Sequence, residues 1–282
     1  MTVISDPSAP SFPATQADAP YRRLDAAGMG ATAARILAEE VPVAITCNGS
    51  TQAVMMATPA DLTDFAFGFA LSEGFVTALD QIEEHELVVH DTGIEARLWL
   101  AKDRAAALGA RRRAMAGPVG CGLCGIDSLQ QALRDLPRVA APDLRFAPDE
   151  LTAATEALRR HQPLHDQTGA VHAAGFLRPG QGIAMAREDV GRHNALDKLI
   201  GALARAGEPA AAGAVVMTSR LSVELIQKCA IAGAGVIVAV SAPTRMALDT
   251  AEAAGITVVA GVRNGHGQVY THPWRVAGAG GL

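Results

Sequence analysis

Cys121-Gly122-Leu123-Cys124 places two thiols within the run Gly117-Pro118-Val119-Gly120-Cys121-Gly122-Leu123-Cys124-Gly125. Glycine before, between and after the sulfurs permits backbone conformations that other residues avoid, and it presents no side chain to a visitor. The run reads as an accessible loop built for thiol chemistry rather than packing. The working species of such chemistry is the thiolate, so a lowered pKa is required. A helix expected from Asp127 to Leu136 would offer its N-terminal amides to Cys124. Arg111, Arg112 and Arg113 stand just upstream and add positive potential. The competing reading is half of a zinc site, completed by His161 and His165. The stretch between the pairs is too long for a finger, and zinc demands four ligands in fixed geometry. Cys47, in an expected strand, and Cys229, in an expected helix, read as small buried hydrophobes.

A second group of polar residues falls at strand-to-helix junctions. Asp189, Arg192, His193, Asn194, Asp197 and Lys198 crowd the run Glu188–Lys198, and Ser219, Arg220, Ser222 and Lys228 follow a later strand. Free amides at helix starts favour anions. In that reading Arg192 and Lys198 hold a pyrophosphate, and Asn194 or Asp197 reads a base or caps the helix. The alternative is a salt-bridge network that locks helix to sheet, and for Asp189 and Asp197 it has at least equal weight. Ser219 and Ser222 are equally well explained as helix caps.

These residues need a scaffold. The chain has 282 residues, 49% hydrophobic, 19% charged and only 4% aromatic, so its core must be built from Ala, Val, Leu and Ile. A net charge of −5 gives no basis for nucleic-acid binding. The apolar stretch Ala234–Ala242 is far shorter than the ~20 residues of a membrane span. The first twenty residues lack the pattern of a signal peptide. With Pro7, Pro10, Pro13 and Pro20 they read as a disordered tail (1–20). A cytoplasmic location follows, where thiols stay reduced and four cysteines are not a disulfide framework.

An N-terminal α+β domain is expected over 21–115. It holds a hairpin from Val41–Cys47 to Ala53–Ala57 around Asn48-Gly49, then a helix capped by Thr58 with Pro59 at its first position. A second hairpin joins Glu86–His90 to Ile94–Leu100, and Lys102–Met115 reads as helix. The Cys loop and a linker marked by Pro137 and Pro142 occupy 116–147. From 148 to 282, a helix (Pro148–His161) and strands His172–Leu177 and Ile183–Glu188 precede regular alternation. Helices at Ala195–Ala206, Val223–Ala232 and Thr244–Ala254 separate strands at Ala214–Thr218, Val236–Val240 and Ile256–Ala260. This pattern implies parallel pairing with helices on both faces. Ligands in such sheets bind at the strands' carboxyl ends, where Ser219, Ser241 and Arg263 fall. Arg263–Gly267 reads as a flexible loop past the last core strand.

Several of these segments together resemble the formate dehydrogenase accessory sulfurtransferases, the FdhD/NarQ family. They are Cys47-Asn48-Gly49 with Met55 to Leu62, Gly68-Phe69 to Ser72-Glu73-Gly74, the Cys loop, and Thr168 to Ala174. Glu188-Asp189-Val190-Gly191-Arg192-His193-Asn194-Ala195-Leu196-Asp197-Lys198 is the most specific. Ser219 to Glu224, Ser241-Ala242-Pro243-Thr244 and Gly261-Val262-Arg263 complete the set, so the likeness spans roughly Val41 to Tyr270. It implies a sulfurtransferase, with Cys121 as persulfide carrier and Cys124 as helper or second carrier. Sulfur would come from a cysteine desulfurase and go to the molybdenum cofactor in its bis guanine dinucleotide form, for the formate dehydrogenase catalytic subunit. The family likeness further implies a cytidine deaminase-like αβα fold for the C-terminal half and a homodimer. It points to Val262, Arg263, Asn264, Gly265, His266 and Gly267 as contacts for the guanine dinucleotide; from their positions, Arg192 and His193 read as ligand or dimer contacts, Ser219 and Arg220 as anion contacts or a cap and a surface ion pair, and His172 as a pocket residue or a satisfied core histidine. No protein-bound metal is expected. Zinc deaminases place a catalytic Glu two residues after a zinc-binding His and add a Cys pair. Here His172-Ala173-Ala174 lacks the Glu, and Ser219-Arg220-Leu221-Ser222 replaces the Cys pair. Two other readings stay open, a thiol–disulfide oxidoreductase and a cofactor-binding chaperone without sulfur transfer.

Overall fold

A computed structural model describes residues 12–115, 135–140 and 143–278, with backbone alone over 109–115. The Cys loop, with Cys121 and Cys124, and most of the Asp127–Leu136 segment lie outside the described residues. The described strands form three sheets: a two-stranded ribbon, a four-stranded sheet of order β4-β3-β6-β5, and a six-stranded sheet of order β12-β11-β10-β9-β7-β8.

The ribbon pairs β1 (Gln16–Asp25) with β2 (Gly28–Ala38). Residues 16–20 are therefore strand rather than disordered tail. Pro20 is tolerated because each strand of a two-stranded ribbon has a free edge where an N–H has no ladder partner to lose.

In the four-stranded sheet, β3 (Val41–Cys47) and β4 (Ser50–Ala57) meet at Asn48 and Gly49, with φ of 48° and 74°. Both angles lie in the left-handed region that a two-residue hairpin turn demands. β5 (Ile82–His90) and β6 (Gly93–Leu100) form the second hairpin, and β3 runs parallel to β6. Alternation turns Val43, Ile45, Ile94, Ala96 and Leu98 to one face, against Leu62, Phe65 and Phe69 of α1 (Leu62–Ser72). Helix α2 (Lys102–Met115) follows β6. Thr58 does not cap α1, which begins four residues later from Asp61. The reason is that Thr58 is fully engaged by the C-terminal half, as described below.

That half begins with α3 (Pro148–Arg159) and the short α4 (Pro163–Thr168). Then come β7 (His172–Arg178), β8 (Gly182–Asp189), α5 (Arg192–Arg205) and β9 (Ala214–Met217). The chain continues through α6 (Val223–Ala232), β10 (Val236–Ala239), α7 (Arg245–Ala254), β11 (Thr257–Arg263) and β12 (His266–Thr271). Only β9, β10 and β11 are parallel, whereas β7, β8 and β12 run antiparallel to their neighbours. Val215, Met217, Ile237 and Val258 pack under α5, α6 and α7, and Val216, Val236, Val238 and Val259 pack against α3. The result is a three-layer αβα arrangement around a mixed sheet.

Arg263–Gly267 is not a flexible loop. Asn264 and Gly265, with φ of 52° and 75°, form a tight turn that joins β11 to β12. Asn-Gly serves here as it does at Asn48-Gly49.

Candidate functional site

The strand directions gather most of the polar candidates at one edge of the large sheet. β9, β10 and β11 end there, delivering Ser219 and Arg220, Ser241, and Arg263. β7 runs the other way and starts there with His172, which pairs with Asp189 at the end of β8. Arg192 and His193 follow at the start of α5. The connections are stitched together: Gly261 donates to the Ser241 carbonyl at 3.3 Å, and Arg263 Nε to the Val240 carbonyl at 3.2 Å. Ser219 is buried and its Oγ donates to the Arg220 carbonyl at 2.9 Å, which leaves Arg220 exposed beside it.

Arg192 dominates the electrostatics of this edge. Its Nε is buried without a hydrogen-bond partner among the described residues. Burial and then the Arg192 charge lower the pKa of His172. The same two causes hold His193 down to about 4. His193 Nε2 lies 3.5 Å from Ser222 Oγ and 4.0 Å from a Glu224 carboxylate oxygen. Gly191 and Ser222 at the cap positions supply no side-chain bond to the first amides of α5 and α6, but at α6 the Glu224 carboxylate bonds its own amide and Ser222. The open amides of α5 with Arg192, Arg220 and Arg263 make this edge suited to an anionic ligand, while Glu224 at the start of α6 works against one there. The Asn264-Gly265 turn projects at the same edge, with His266 and Gly267 exposed. Val262 differs from its neighbours, since its side chain is fully buried in the core and its carbonyl accepts from Thr155 Oγ1 at 3.1 Å.

Asp189, Asp197 and Lys198 of the Glu188–Lys198 run face inward, while Glu188 accepts from the Leu164 and His165 amides of α4 at 2.9 Å. Lys198 is fully buried, 2.6 Å from Asp189 Oδ2, and donates to the Thr58 carbonyl at 2.9 Å. The pyrophosphate role expected of Lys198 is therefore excluded, because its ammonium is spent inside. Burial pulls its pKa down, and Asp189 pulls against that. Asp189 also accepts from the Thr58 amide at 3.0 Å and from Asn194 Nδ2 at 2.9 Å, while Asn194 donates to the Met56 carbonyl at 2.8 Å. Thr58 Oγ1 accepts from the Val190 amide at 3.1 Å, so all its polar groups are used. One helical turn further, Asp197 holds Lys228 Nζ at 3.0 Å and Ser72 Oγ at 2.7 Å, and Glu73 adds a contact to Lys228 at 2.8 Å. Burial works against the Lys228 charge, but Asp197 and Glu73 outweigh it and raise its pKa. For Asp189 and Asp197 the salt-bridge reading is the one the structure shows.

Sequence reasoning missed the backbone contact beneath these pairs. Helices α1 and α5 cross at Gly68 and Gly201. A Cβ on Gly68 would lie 1.7 Å from the Asp197 carbonyl oxygen, and one on Gly201 would lie 1.9 Å from that of Asp64. The signal was present, because two interior helix glycines cost helix propensity and ask for a packing reason.

Cys47 and Cys229 are both buried, and burial pushes each thiol up to about 12. Neither is a thiolate near neutral pH. Among the described residues no three His, Cys, Asp or Glu side chains gather as a metal-binding group. No described helix is long and apolar enough to cross a membrane.

The model of the FdhD/NarQ family matches residues 38–277. The chain belongs to the FdhD/NarQ family. It is similar to the Sulfur carrier protein FdhD of Agrobacterium fabrum, with 49% identity over 263 residues, covering 92% of this chain and 97% of that one. The Cupriavidus necator protein of the same name is 50% identical over 240 residues, covering 85% and 83%. A crystal structure from Desulfotalea psychrophila, provisionally described as a formate dehydrogenase accessory protein, matches with a TM-score of 0.74 and 25% identity. That match covers 93% of this chain and all of the other. The FdhD/NarQ match begins at residue 38, just where the β1–β2 ribbon ends, and takes in both sheets, the junction and the polar edge.

Proposed function

We propose that this FdhD/NarQ chain is a sulfur carrier acting in formate dehydrogenase maturation, with Cys121 as the carrying thiol. One observation carries the residue assignment. Of the four cysteines in the sequence, Cys47 and Cys229 are sealed in the core and held protonated. Sulfur transfer needs an accessible thiolate, so it falls to Cys121 and Cys124. The relatives' shared name, Sulfur carrier protein FdhD, supports the reaction class.

In the proposed step, the Cys121 thiolate attacks the outer sulfur of a cysteine desulfurase persulfide. The donor's S–S bond breaks, its cysteine leaves as a thiolate, and Cys121 becomes the persulfide. No net electrons are gained or lost. The outer sulfur would then pass to reduced molybdenum of the cofactor, bound as cargo in its bis guanine dinucleotide form: the Cys121 S–S bond breaks, Cys121 leaves as a thiolate, and the metal supplies the two electrons that make the sulfur sulfide, before delivery to the dehydrogenase catalytic subunit. Arg192, Arg220 and Arg263, with the open amides of α5, are the groups suited to its phosphates. His172 and His193 line the same edge. The C-terminal half is, in this reading, a deaminase-like scaffold turned from base chemistry to holding a nucleotide cofactor. The setting proposed for all of this is the cytoplasm.

The test is mass spectrometry of the full chain after incubation with cysteine desulfurase and cysteine. One added sulfur is expected on the peptide that holds Cys121, and also in a Cys47→Ala/Cys229→Ala variant. Cys121→Ala is expected to lose both the added sulfur and dehydrogenase activation. Retention of both by Cys121→Ala would overturn the assignment. A stable Cys121–Cys124 disulfide with no added sulfur would favour redox chemistry instead.

A further inference from the structure

The polar edge holds a carboxylate among its arginines. Glu224 stands in the first turn of α6 with its side chain 56% exposed, and one of its oxygens lies 4.0 Å from His193 Nε2. The carboxylate accepts from Ser222 and from its own amide, and the Ser222 bond holds its pKa below the usual carboxylate range. It is therefore charged at neutral pH. His193 does not neutralise it, because that imidazole is held down to about 4. The start of α6 is fixed against the rest of the edge. Ser222 Oγ lies 3.5 Å from His193 at the start of α5, and the Thr244 amide, which follows Ser241, donates to the Leu221 carbonyl at 3.0 Å.

The neighbouring acids are engaged. Asp189 holds Lys198, Asp197 and Glu73 hold Lys228, and Glu188 accepts from two amides of α4. Among the described residues, the contact of Glu224 at ion-pair distance is the neutral His193. A site for phosphates alone gains nothing from such a group, since it repels what Arg192, Arg220 and Arg263 attract. The positive end of α6 explains why the charge is tolerated, but not why it faces a rim of arginines with acceptor capacity to spare. An ionised carboxylate offers about four lone-pair sites, and its bonds to Ser222 and its own amide leave some of them open. A ligand with phosphates at one end and paired donors at the other fits both signs of charge. Guanine carries N1–H and a 2-amino group side by side, matched to the two oxygens of one carboxylate as an arginine fork is. Adenine turns a lone pair toward the same place. Asn194 and Asp197, the residues expected from the sequence to read a base, are buried and bonded to Met56, Asp189 and Lys228.

We propose that Glu224 selects the base of the nucleotide, its carboxylate accepting from guanine N1–H and the 2-amino group while the arginines hold the diphosphate. This rests on the reading of the polar edge as a nucleotide site and adds the group that gives it base specificity. It is tested by isothermal titration of the full chain with GDP, IDP, ADP and pyrophosphate, with circular dichroism to follow folding. IDP lacks the 2-amino group, ADP presents the wrong edge, and pyrophosphate has no base. The native chain is expected to bind GDP about tenfold or more tightly than IDP or ADP, the effect of one charge-assisted hydrogen bond. Glu224→Gln is expected to stay folded, to lose that preference, and to bind pyrophosphate at least as tightly as the native chain. A Glu224→Gln variant that keeps the preference, or that weakens GDP and pyrophosphate alike, would overturn the assignment. So would a native chain that binds the three nucleotides equally, although the edge would then still be a nucleotide site. A native chain that binds neither GDP nor pyrophosphate would overturn the nucleotide reading of the edge and the role of Glu224 with it.

Discussion

The junction between the two halves and the polar edge of the large sheet draw on the same eleven-residue run, Glu188–Lys198, and use it in opposite ways. At the junction, Asp189 meets Lys198 and Asp197 meets Lys228, all buried, and two helices touch backbone to backbone at Gly68 and Gly201. At the edge, Arg192 keeps a buried Nε without a hydrogen-bond partner among the described residues, and α5 begins with uncapped amides. Residues within two helical turns of one another are thus sealed into the fold or left open at its surface. Charge in a motif does not by itself mark a ligand site. The distinction is whether the chain supplies the opposite charge.

The comparison is broken most severely at the glycines. Gly68→Ala puts a methyl 1.7 Å from a carbonyl oxygen that belongs to helix backbone and cannot step aside. The cost is expected to exceed the ~1–3 kcal/mol usual for overpacking. Soluble yield and thermal unfolding should show little folded protein, for Gly201→Ala as well. Near-native melting of either variant would mean that the helices separate readily. Lys198→Met comes next. It leaves Asp189 charged and buried, which costs about 3–5 kcal/mol. Adding Asp189→Asn removes the stranded charge, so the double variant is expected to melt above the single one. Equal melting temperatures for the two would show that the pair is not the source of the loss.

How much of this was legible in the sequence follows the range of the interactions. The alternating strands and helices after 148 were readable because their periodicity is local, and Val223–Ala232 was placed to the residue. Thr58 was misread as a cap because its true partners, Asp189, Val190 and Lys198, lie more than 130 residues away. Lys198 resembled a phosphate ligand for the same reason, since nothing local reveals a buried carboxylate opposite it. The ribbon was hidden by Pro20 and by many Ala and Gly residues, which carry little strand signal. The Asn264-Gly265 turn had a local signature and was still passed over, because an exposed glycine-rich stretch after the last core strand resembles a loop.

Arg192 tests the other side of the comparison. Arg192→Ala removes a half-buried cation that makes no ion pair with a described carboxylate and acts on nearby Glu224 only by helping to hold down its pKa, so the melting temperature is expected to fall little. Affinity for GDP, used as a probe of the cofactor's guanine nucleotide, is expected to fall about tenfold or more, the worth of one charge-assisted hydrogen bond. Isothermal titration against the native chain measures it. Lost stability with unchanged GDP affinity would move Arg192 to the structural side.

His193 gives the smallest and most diagnostic effect. Burial, the Arg192 charge and Lys228 hold its imidazole down to about 4, against the upward pull of Glu224 and Glu73. In the unfolded chain it titrates at the ordinary histidine value, near 6.5. As pH falls below 6.5 the unfolded state takes up a proton that the native state refuses until about 4. Stability contributed by the neutral form is therefore full above 6.5 and is lost between 6.5 and 4. The side chain is 36% exposed, so solvent screening reduces the effect to about 1 kcal/mol. Thermal unfolding of the native protein should fall more steeply across that window than that of His193→Gln, with the two converging in slope above it. Equal slopes, or an NMR titration midpoint near 6.5 for the folded imidazole, would sink the assignment. A neutral His193 leaves Arg192 as the charge that an incoming phosphate meets at the start of α5, and leaves the imidazole to exchange a hydrogen bond with Ser222. In the proposed role, the edge would meet an anion without needing to be protonated first, as a nucleotide site working at neutral pH would require.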